Sequence, residues 1–495
     1  MLLPNDPCDR ALLELVAPED WKNPVPADRY NLVVLGGGTA GLVAAIGAGV
    51  AGAKVALVEK NLLGGDCLSF GCVPSKSILR AARLIHDART AEGLFGHSEF
   101  RADFEAVMRQ MRKVRAEIAP HDAARTLTSY GIDVFFGAAT FASRDTVDVA
   151  GARLKFAKAL VATGTTPATL EVPGLSEAGF FTNETIFALT TLPARLAIIG
   201  GGPMGCELGQ AFRRLGSEVT IVTRDDRLLP GDDEDAAALV RRALEREGIH
   251  LLFDTEVRHV ERSHGEKTLH LSGDRNIDAD IILVAIGRAP VVRGLGLEAA
   301  GITYDEHGIH VDEQLRTTNP HVSAAGDVAS SFKFTHAAEA LARTALTNAL
   351  FFGRGKKSAL SIPHCTFTDP EVAQIGIRAK EAHERKARVT TLQLSLREND
   401  RAAIEGNGEG FVRVHVTRWT GRILGVTIVG RDAGELLALG ALAMTAKLPI
   451  STFTRAIFPY PTTAEIWRRL ADEHARTFLG SWVKRWLSRY FSWRR

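Results

Sequence analysis

Gly36-Gly37-Gly38-Thr39-Ala40-Gly41 is the stretch that decides the fold. Before it, Asn31-Leu32-Val33-Val34-Leu35 is an apolar run of strand length; after it, residues 42–50 have helix composition and residues 54–59 read as a second strand. Strand, glycine turn, helix and strand make a β-α-β unit. Gly36 permits the tight turn, Gly38 lets backbone approach a pyrophosphate, and Gly41 lets the helix pack on the strand. The helix N-terminus then offers free N–H groups and a positive dipole end to phosphate. Glu59 closes the second strand about 20 residues on, where a carboxylate accepts hydrogen bonds from ribose hydroxyls. The context favours a dinucleotide site over a glycine-rich turn of some other α/β fold.

The unit occurs twice. Arg195-Leu196-Ala197-Ile198-Ile199 leads into Gly200-Gly201-Gly202-Pro203-Met204-Gly205, and residues 218–223 form the following strand. Gly36 to Gly52 is 16 residues, as is Gly200 to Gly216; Gly36 to Glu59 is 23, as is Gly200 to Thr223. Two dinucleotide folds imply two dinucleotides of different kinds. Thr223 replaces the acid of the first copy and Arg224 follows it. A neutral residue beside a guanidinium accommodates a 2′-phosphate, which favours NADPH, with NADH as the alternative. The competing reading of Arg224 is a solvated charge at a strand end.

With 495 residues the chain exceeds one hydrophobic core, so two to four domains are expected. A net charge of +2 argues against a nucleic-acid binder. No apolar run approaches the roughly 20 residues of a membrane span. The N-terminus has neither the basic region nor the apolar region of a secretory signal, and a cytoplasmic protein is the expectation. Five cysteines are too few for a disulfide framework. Cys8, Cys206 and Cys365 stand alone, whereas Cys67 and Cys72 are close neighbours.

That pair lies in Gly64-Gly65-Asp66-Cys67-Leu68-Ser69-Phe70-Gly71-Cys72-Val73-Pro74-Ser75-Lys76. Cys-x4-Cys is not the Cys-x2-Cys of zinc sites, and no second pair completes a four-ligand metal set, so no metal site is assigned. Five residues along a regular helix place two side chains on different faces. The chain must therefore leave the helix between them, and Gly71 can supply the break. Such a pair can close a disulfide beside a cofactor, and a thiolate near a helix N-terminus and a cation gains acidity.

The chain resembles the pyridine nucleotide-disulfide oxidoreductases. The first glycine loop, Gly-Gly-x-Cys-x4-Cys-Val-Pro-Ser-Lys, Ala162-Thr163-Gly164, the second glycine loop, Ala285-Ile286-Gly287-Arg288 and Ala325-Gly326-Asp327 occur in the family's order, over residues 31 to 478. The resemblance implies an α/β fold: two Rossmann-like dinucleotide-binding domains and a C-terminal α+β interface domain, as a homodimer. The expected boundaries are an N-terminal arm over 1–30, an FAD-binding domain over 31–170 and 291–357, an NAD(P)H-binding domain over 171–290, an interface and dimerisation domain over 358–478, and a basic amphipathic tail over 479–495. It further implies FAD at Gly36, Gly38, Gly41, Glu59, Gly164 and Asp327, and NAD(P)H at Gly200, Gly202, Gly205, Arg224 and Gly287. Lys76 looks like the lysine near flavin N5 and Glu207 like its carboxylate partner. Cys72 would be the flavin-proximal thiolate and Cys67 the thiol that meets substrate.

The C-terminal motif departs from the thiol reductases of the family. They carry a histidine, followed by a glutamate, that serves the partner's leaving thiol. Here the stretch is Phe458-Pro459-Tyr460-Pro461-Thr462-Thr463-Ala464-Glu465. A phenol titrates near ~10 and a histidine near ~6.5, so Tyr460 is a poor proton shuttle at neutral pH. Tyrosine at this place is similar to the mercuric reductase branch, as is the stretch around Gly202–Gly209. That branch also has a C-terminal vicinal cysteine pair, and the last cysteine here is Cys365. The expected enzyme passes electrons from NAD(P)H through flavin to Cys67 and Cys72, then to a metal ion such as Hg(II) or Cu(II). The alternatives are a small disulfide or quinone as acceptor, or a low-turnover redox sensor at the membrane surface.

His364-Cys365 reads as a packed strand end in preference to a metal pair. Asp232-Asp233-Glu234-Asp235 reads as an acidic helix start in preference to a cation site. In the tail, Trp482, Trp486, Tyr490 and Phe491 share helical spacing, with Lys484, Arg485 and Arg489 opposite. It is either an interfacial helix at the inner membrane face or a helix packed on the body or dimer partner.

Overall fold

Five of the six residues of Tyr30–Leu35 are buried, as a parallel strand covered on both faces requires. A computed structural model describes residues 2–3, 6–91, 101–263 and 265–495. The chain forms two compact units, one of residues 1–224 and 248–360 and one of residues 225–247 and 361–495.

In the first unit, parallel strands run in the order Ile132–Phe136, Val55–Glu59, Tyr30–Leu35, Ala152–Val161 and Val322–Ala324. The helix Thr39–Val50 connects the first two of these in sequence. A second parallel sheet repeats the scheme with His250–Leu252, Glu218–Val222, Arg195–Ile199 and Ile281–Val284, and the helix Pro203–Leu215 connects its first pair. The gapless repeat in the sequence is thus a repeat of topology.

The N-terminal segment belongs to this unit and is more than a leading arm. Asp6 caps the helix Pro7–Val16 by accepting from the N–H groups of Cys8 and Asp9. Leu12 and Val16 enter the core, and Asp9 forms a buried ion pair with Arg115 of the helix Phe104–Ile118. Trp21 and Asn23 then bond along the edge strand, Nε1 to Val134 O at 3.1 Å and Nδ2 to Phe136 O at 2.9 Å.

The second unit holds an antiparallel sheet in the order His364–Thr366, Glu371–Gly376, Ile423–Gly430, Phe411–Thr417 and Val389–Ser395. Helices Ala433–Thr445 and Ile466–Thr477 pack on it through Leu436, Leu437, Trp467 and Leu470. Residues 411–416 alternate Val with Phe, Arg and His, yet both faces of the strand are buried. Arg413 and His415, the polar members, are both buried. Arg413 is matched by carboxylates from the helix Glu234–Arg246, whose segment joins this unit: it donates to Asp233 Oδ2 at 3.1 Å and pairs with Asp235. The acidic run is a helix start as expected, and its carboxylates also supply the counter-charge for a buried guanidinium.

Candidate active site

The two cysteines are separated by a break in the helix. A short helix spans Gly65–Ser69, Phe70 ends it, and Cys72–Thr90 begins a new one with Cys72 as its first residue. Gly71 sits at the junction, where a Cβ would lie 2.8 Å from Asp66 Oδ2 and 3.0 Å from Asp66 O. Cys72 therefore stands at a helix N-terminus, where exposed N–H groups favour a thiolate.

The thiols are inequivalent. Cys67 hydrogen-bonds to Cys72, which lowers Cys72 to about 6 and pushes Cys67 far above the ordinary thiol range. Thr335, the first residue of the helix Thr335–Leu350, lies with Oγ1 3.2 Å from Cys72 Sγ and adds to the lowering, as does the charge of Lys76. Lys76 is one turn along the Cys72 helix, and its Nζ donates to Glu207 Oε2 at 2.7 Å. Glu207 is buried in the helix Pro203–Leu215 that starts at the second glycine loop. The ion pair expected from the resemblance is present, and it ties the cysteine helix to that loop.

The glycines of the loops divide into two groups. At Gly36 φ is +108° and a Cβ would lie 2.3 Å from Ala162 O; at Gly200 φ is +120° and the contact is Ala285 O at 2.4 Å. Gly41 and Gly205 would place a Cβ 1.8 Å and 2.1 Å from the carbonyl oxygens of Gly36 and Gly200. These four are required by the turn itself. At Gly38 and Gly202 the backbone is extended with negative φ, and added Cβ atoms would meet Gly65 Cα at 3.8 Å and nothing within 4 Å, respectively. Neither conformation nor packing calls for glycine there. The space a Cβ would fill is the cradle a pyrophosphate needs, so both loops fit a dinucleotide.

The carboxylates fit as well. Glu59 is buried, with Oε2 accepting from Gly37 N at 2.6 Å and Oε1 from Asn61 N at 2.7 Å, and burial raises its pKa. Asp327 follows the strand Val322–Ala324 and accepts from Thr165 Oγ1 at 3.0 Å; burial raises it too. Arg288 donates to Thr165 Oγ1 at 2.7 Å and pairs with Asp66 Oδ1 at 3.2 Å, and Asn183 donates to the same Asp66 oxygen at 2.8 Å. This network runs from Asp327 to the residue preceding Cys67. Gly164 and Gly287 both have positive φ and open space around them.

Thr223 is buried at the end of Glu218–Val222, and the following Arg224 is exposed, with no ion pair among the described residues. In the second unit Tyr460 is exposed and its hydroxyl donates to Asp400 Oδ2 at 2.9 Å, a bond that raises the phenol further. Glu465 pairs with Arg468. His364 Nε2 lies 2.7 Å from Asp232 Oδ1, and no group of three metal-ligating side chains occurs among the described residues. Thr335, Thr165 and Asn183 were missed by the sequence reading. Thr335 is 263 residues from Cys72, and its one signal is a hydroxyl opening a helix.

The model of the pyridine nucleotide-disulphide oxidoreductases matches residues 30–342, and that of their dimerisation domain matches residues 362–471. A mercuric reductase of Lysinibacillus sphaericus is 34% identical over 444 residues, 88% of this chain and 81% of the relative. A dihydrolipoyl dehydrogenase of Thermus scotoductus is 34% identical over 447 residues, 88% and 95% of the two chains. Among solved structures, LpdA from Mycobacterium tuberculosis superposes with a TM-score of 0.83 at 26% identity, over 89% of this chain and 99% of that one. The Cu(II) complex of the HOCl-induced flavoprotein disulfide reductase RclA from Escherichia coli gives 0.80 at 26% identity, over 88% and 98%.

Proposed function

This chain belongs to the pyridine nucleotide-disulphide oxidoreductases, enzymes of FAD and NAD(P)H, and from that premise we propose that it reduces a thiophilic metal ion of the Hg(II) or Cu(II) kind at Cys67 and Cys72. Tyr460 carries the choice of acceptor. It stands where a thiol reductase needs a proton shuttle, and its phenol is held by Asp400 above its ordinary range. Two named relatives agree with the choice, a mercuric reductase and a reductase solved with Cu(II).

Bound FAD supplies a two-electron relay between NAD(P)H and the disulfide. Gly38 and Gly202 would leave room for the two pyrophosphates, Glu59 would accept from a ribose, and Asp327 is held in place through Thr165 and Arg288. Reduction of a Cys67–Cys72 disulfide takes up an electron pair and one proton, leaving Cys72 as thiolate and Cys67 as thiol. The cation of Lys76 favours negative charge at that place, and Glu207 fixes its position. A soft cation displaces the Cys67 proton and is held by two sulfurs. An electron pair from a further NAD(P)H reduces Hg(II) to the metal, and the two thiolates it leaves need no proton donor. The exposed Arg224 favours NADPH. The dimerisation-domain match points to a homodimer, and we place the partner's motif containing Tyr460 and Glu465 at the Cys67 site. We place the enzyme in the cytoplasm, where such a pair is kept reducible.

The test is NADPH and NADH oxidation by the FAD-loaded protein with Hg(II), Cu(II), lipoamide, glutathione disulfide and a quinone in parallel. Metal-dependent turnover is expected with NADPH, abolished in Cys72→Ala. Tyr460→His should raise disulfide turnover by about tenfold or more, within the range of a general acid–base. Arg224→Ala should raise the KM for NADPH and leave that for NADH. Fast disulfide reduction by the unaltered enzyme, with no response to either metal, would reject this acceptor.

A further inference from the structure

The family matches end at residue 471, and the chain continues for a further helix, Ser481–Trp493. None of its residues is buried, and Trp482, Trp486, Phe491 and Trp493 are among the most exposed large side chains of the described residues. At about 3.6 residues per turn, Trp482, Val483, Trp486, Leu487, Tyr490 and Trp493 fall on one side, with Phe491 at its edge. Lys484, Arg485, Ser488, Arg489 and Ser492 fill the other side. The two sets do not mix. The rings form an ordered surface: Trp486 stacks on Tyr490 at 5.9 Å, and Tyr490 meets Phe491 at 5.5 Å.

Charge decides what covers that surface. Residues 478–495 hold Lys484, Arg485, Arg489, Arg494 and Arg495 and no acid. Two such helices laid together would bring like charges side by side, and among the described residues nothing buries this helix. An anionic lipid surface meets both faces at once, with phosphate for the cations and the acyl boundary for the aromatic side. Three of the chain's six tryptophans lie on this helix, and tryptophan is the side chain that suits the headgroup level. A helix of 13 residues covers about 20 Å against the ~30 Å of hydrocarbon, so it lies in the plane of the interface.

We propose that Ser481–Trp493 docks the enzyme on an anionic bilayer surface, parallel to the membrane. The site works independently of the acceptor chosen above. The test is co-sedimentation of the full-length holoenzyme with vesicles of phosphatidylcholine containing phosphatidylglycerol, against vesicles of phosphatidylcholine alone. Tryptophan emission and NADPH oxidation are followed in the same samples. The anionic vesicles should bind the protein about tenfold or more tightly, with a blue shift of emission, and added salt should weaken binding. Arg485→Glu with Arg489→Glu, and separately Trp482→Ala with Trp486→Ala, should each cut binding about tenfold while NADPH oxidation holds. Protein left in the supernatant with anionic vesicles would overturn the proposal. So would tryptophan variants that bind lipid as the unaltered chain does, or that change the assembly state without lipid, since the helix would then be covered by a second copy.

Discussion

Cys72 owes its acidity first to a thiol five residues away, then to the Thr335 hydroxyl and to the charge of Lys76. This division of protonation follows from where the helix breaks. Alkylation of the reduced protein should show one thiol reacting with a midpoint near about 6, while the other stays protonated well above the usual thiol range. The sign is that of a lowered pKa: Cys72 is thiolate above the midpoint and loses reactivity as pH falls through it. Cys67→Ala should move the midpoint up, because the largest lowering contribution is gone. A midpoint at the ordinary thiol value in the unaltered protein would refute this account. Much of the site was legible at this scale because glycine and cysteine spacings are local. Gly36, Gly41 and the helix break at Gly71 were read from a few adjacent letters. Thr335 and the Asp66–Asn183–Arg288–Thr165 network were not, since folding brings them together from distant parts of the chain.

Strand Phe411–Thr417 shows where patterning misleads. Val alternates with Phe, Arg and His along it, a pattern that suits one solvated face, yet burial is continuous from Phe411 to Val416. Arg413 and His415 are enclosed because the helix Glu234–Arg246 brings carboxylates to one of them. No periodicity announces such a partner 178 residues away. His415 has a hydrogen bond between Nδ1 and Thr391 Oγ1 at 2.9 Å, and its buried Nε2 has no partner among the described residues. Burial, aided by Arg413, lowers its pKa from 6.5 to about 4. The unfolded chain binds a proton between these values and the folded one does not, so stability is complete above 6.5 and falls as pH drops toward 4. The loss should reach about 3 kcal/mol, read as a falling urea midpoint. His415→Leu should flatten that slope. An equal slope in the variant would assign the pH dependence to other groups.

Across the molecule, the two parallel sheets were foreseeable because each carries its own glycine signature, whereas the N-terminal segment lacks one. Its incorporation rests on Asp9 and Arg115, both enclosed, and on Trp21 and Asn23 along the sheet edge. Asp9→Ala would leave a guanidinium buried beside Arg112 without its main counter-ion. A loss of about 3–5 kcal/mol in unfolding free energy is expected. The double change Asp9→Leu with Arg115→Met should restore part of it. A neutral effect of the single change would show that this ion pair does not hold the segment in place.

The same reasoning bears on how this protein could be recombined. Residues 225–247 are connected by chain to one unit at both ends, yet Asp233 and Asp235 neutralise a guanidinium inside the other. A chimaera joined near residue 360 would import Arg413 into its new host and leave its anions behind in the donor. Exchange between relatives must therefore move two separate stretches of gene together, and any single crossover that falls between residues 235 and 413 parts that guanidinium from its counter-ions.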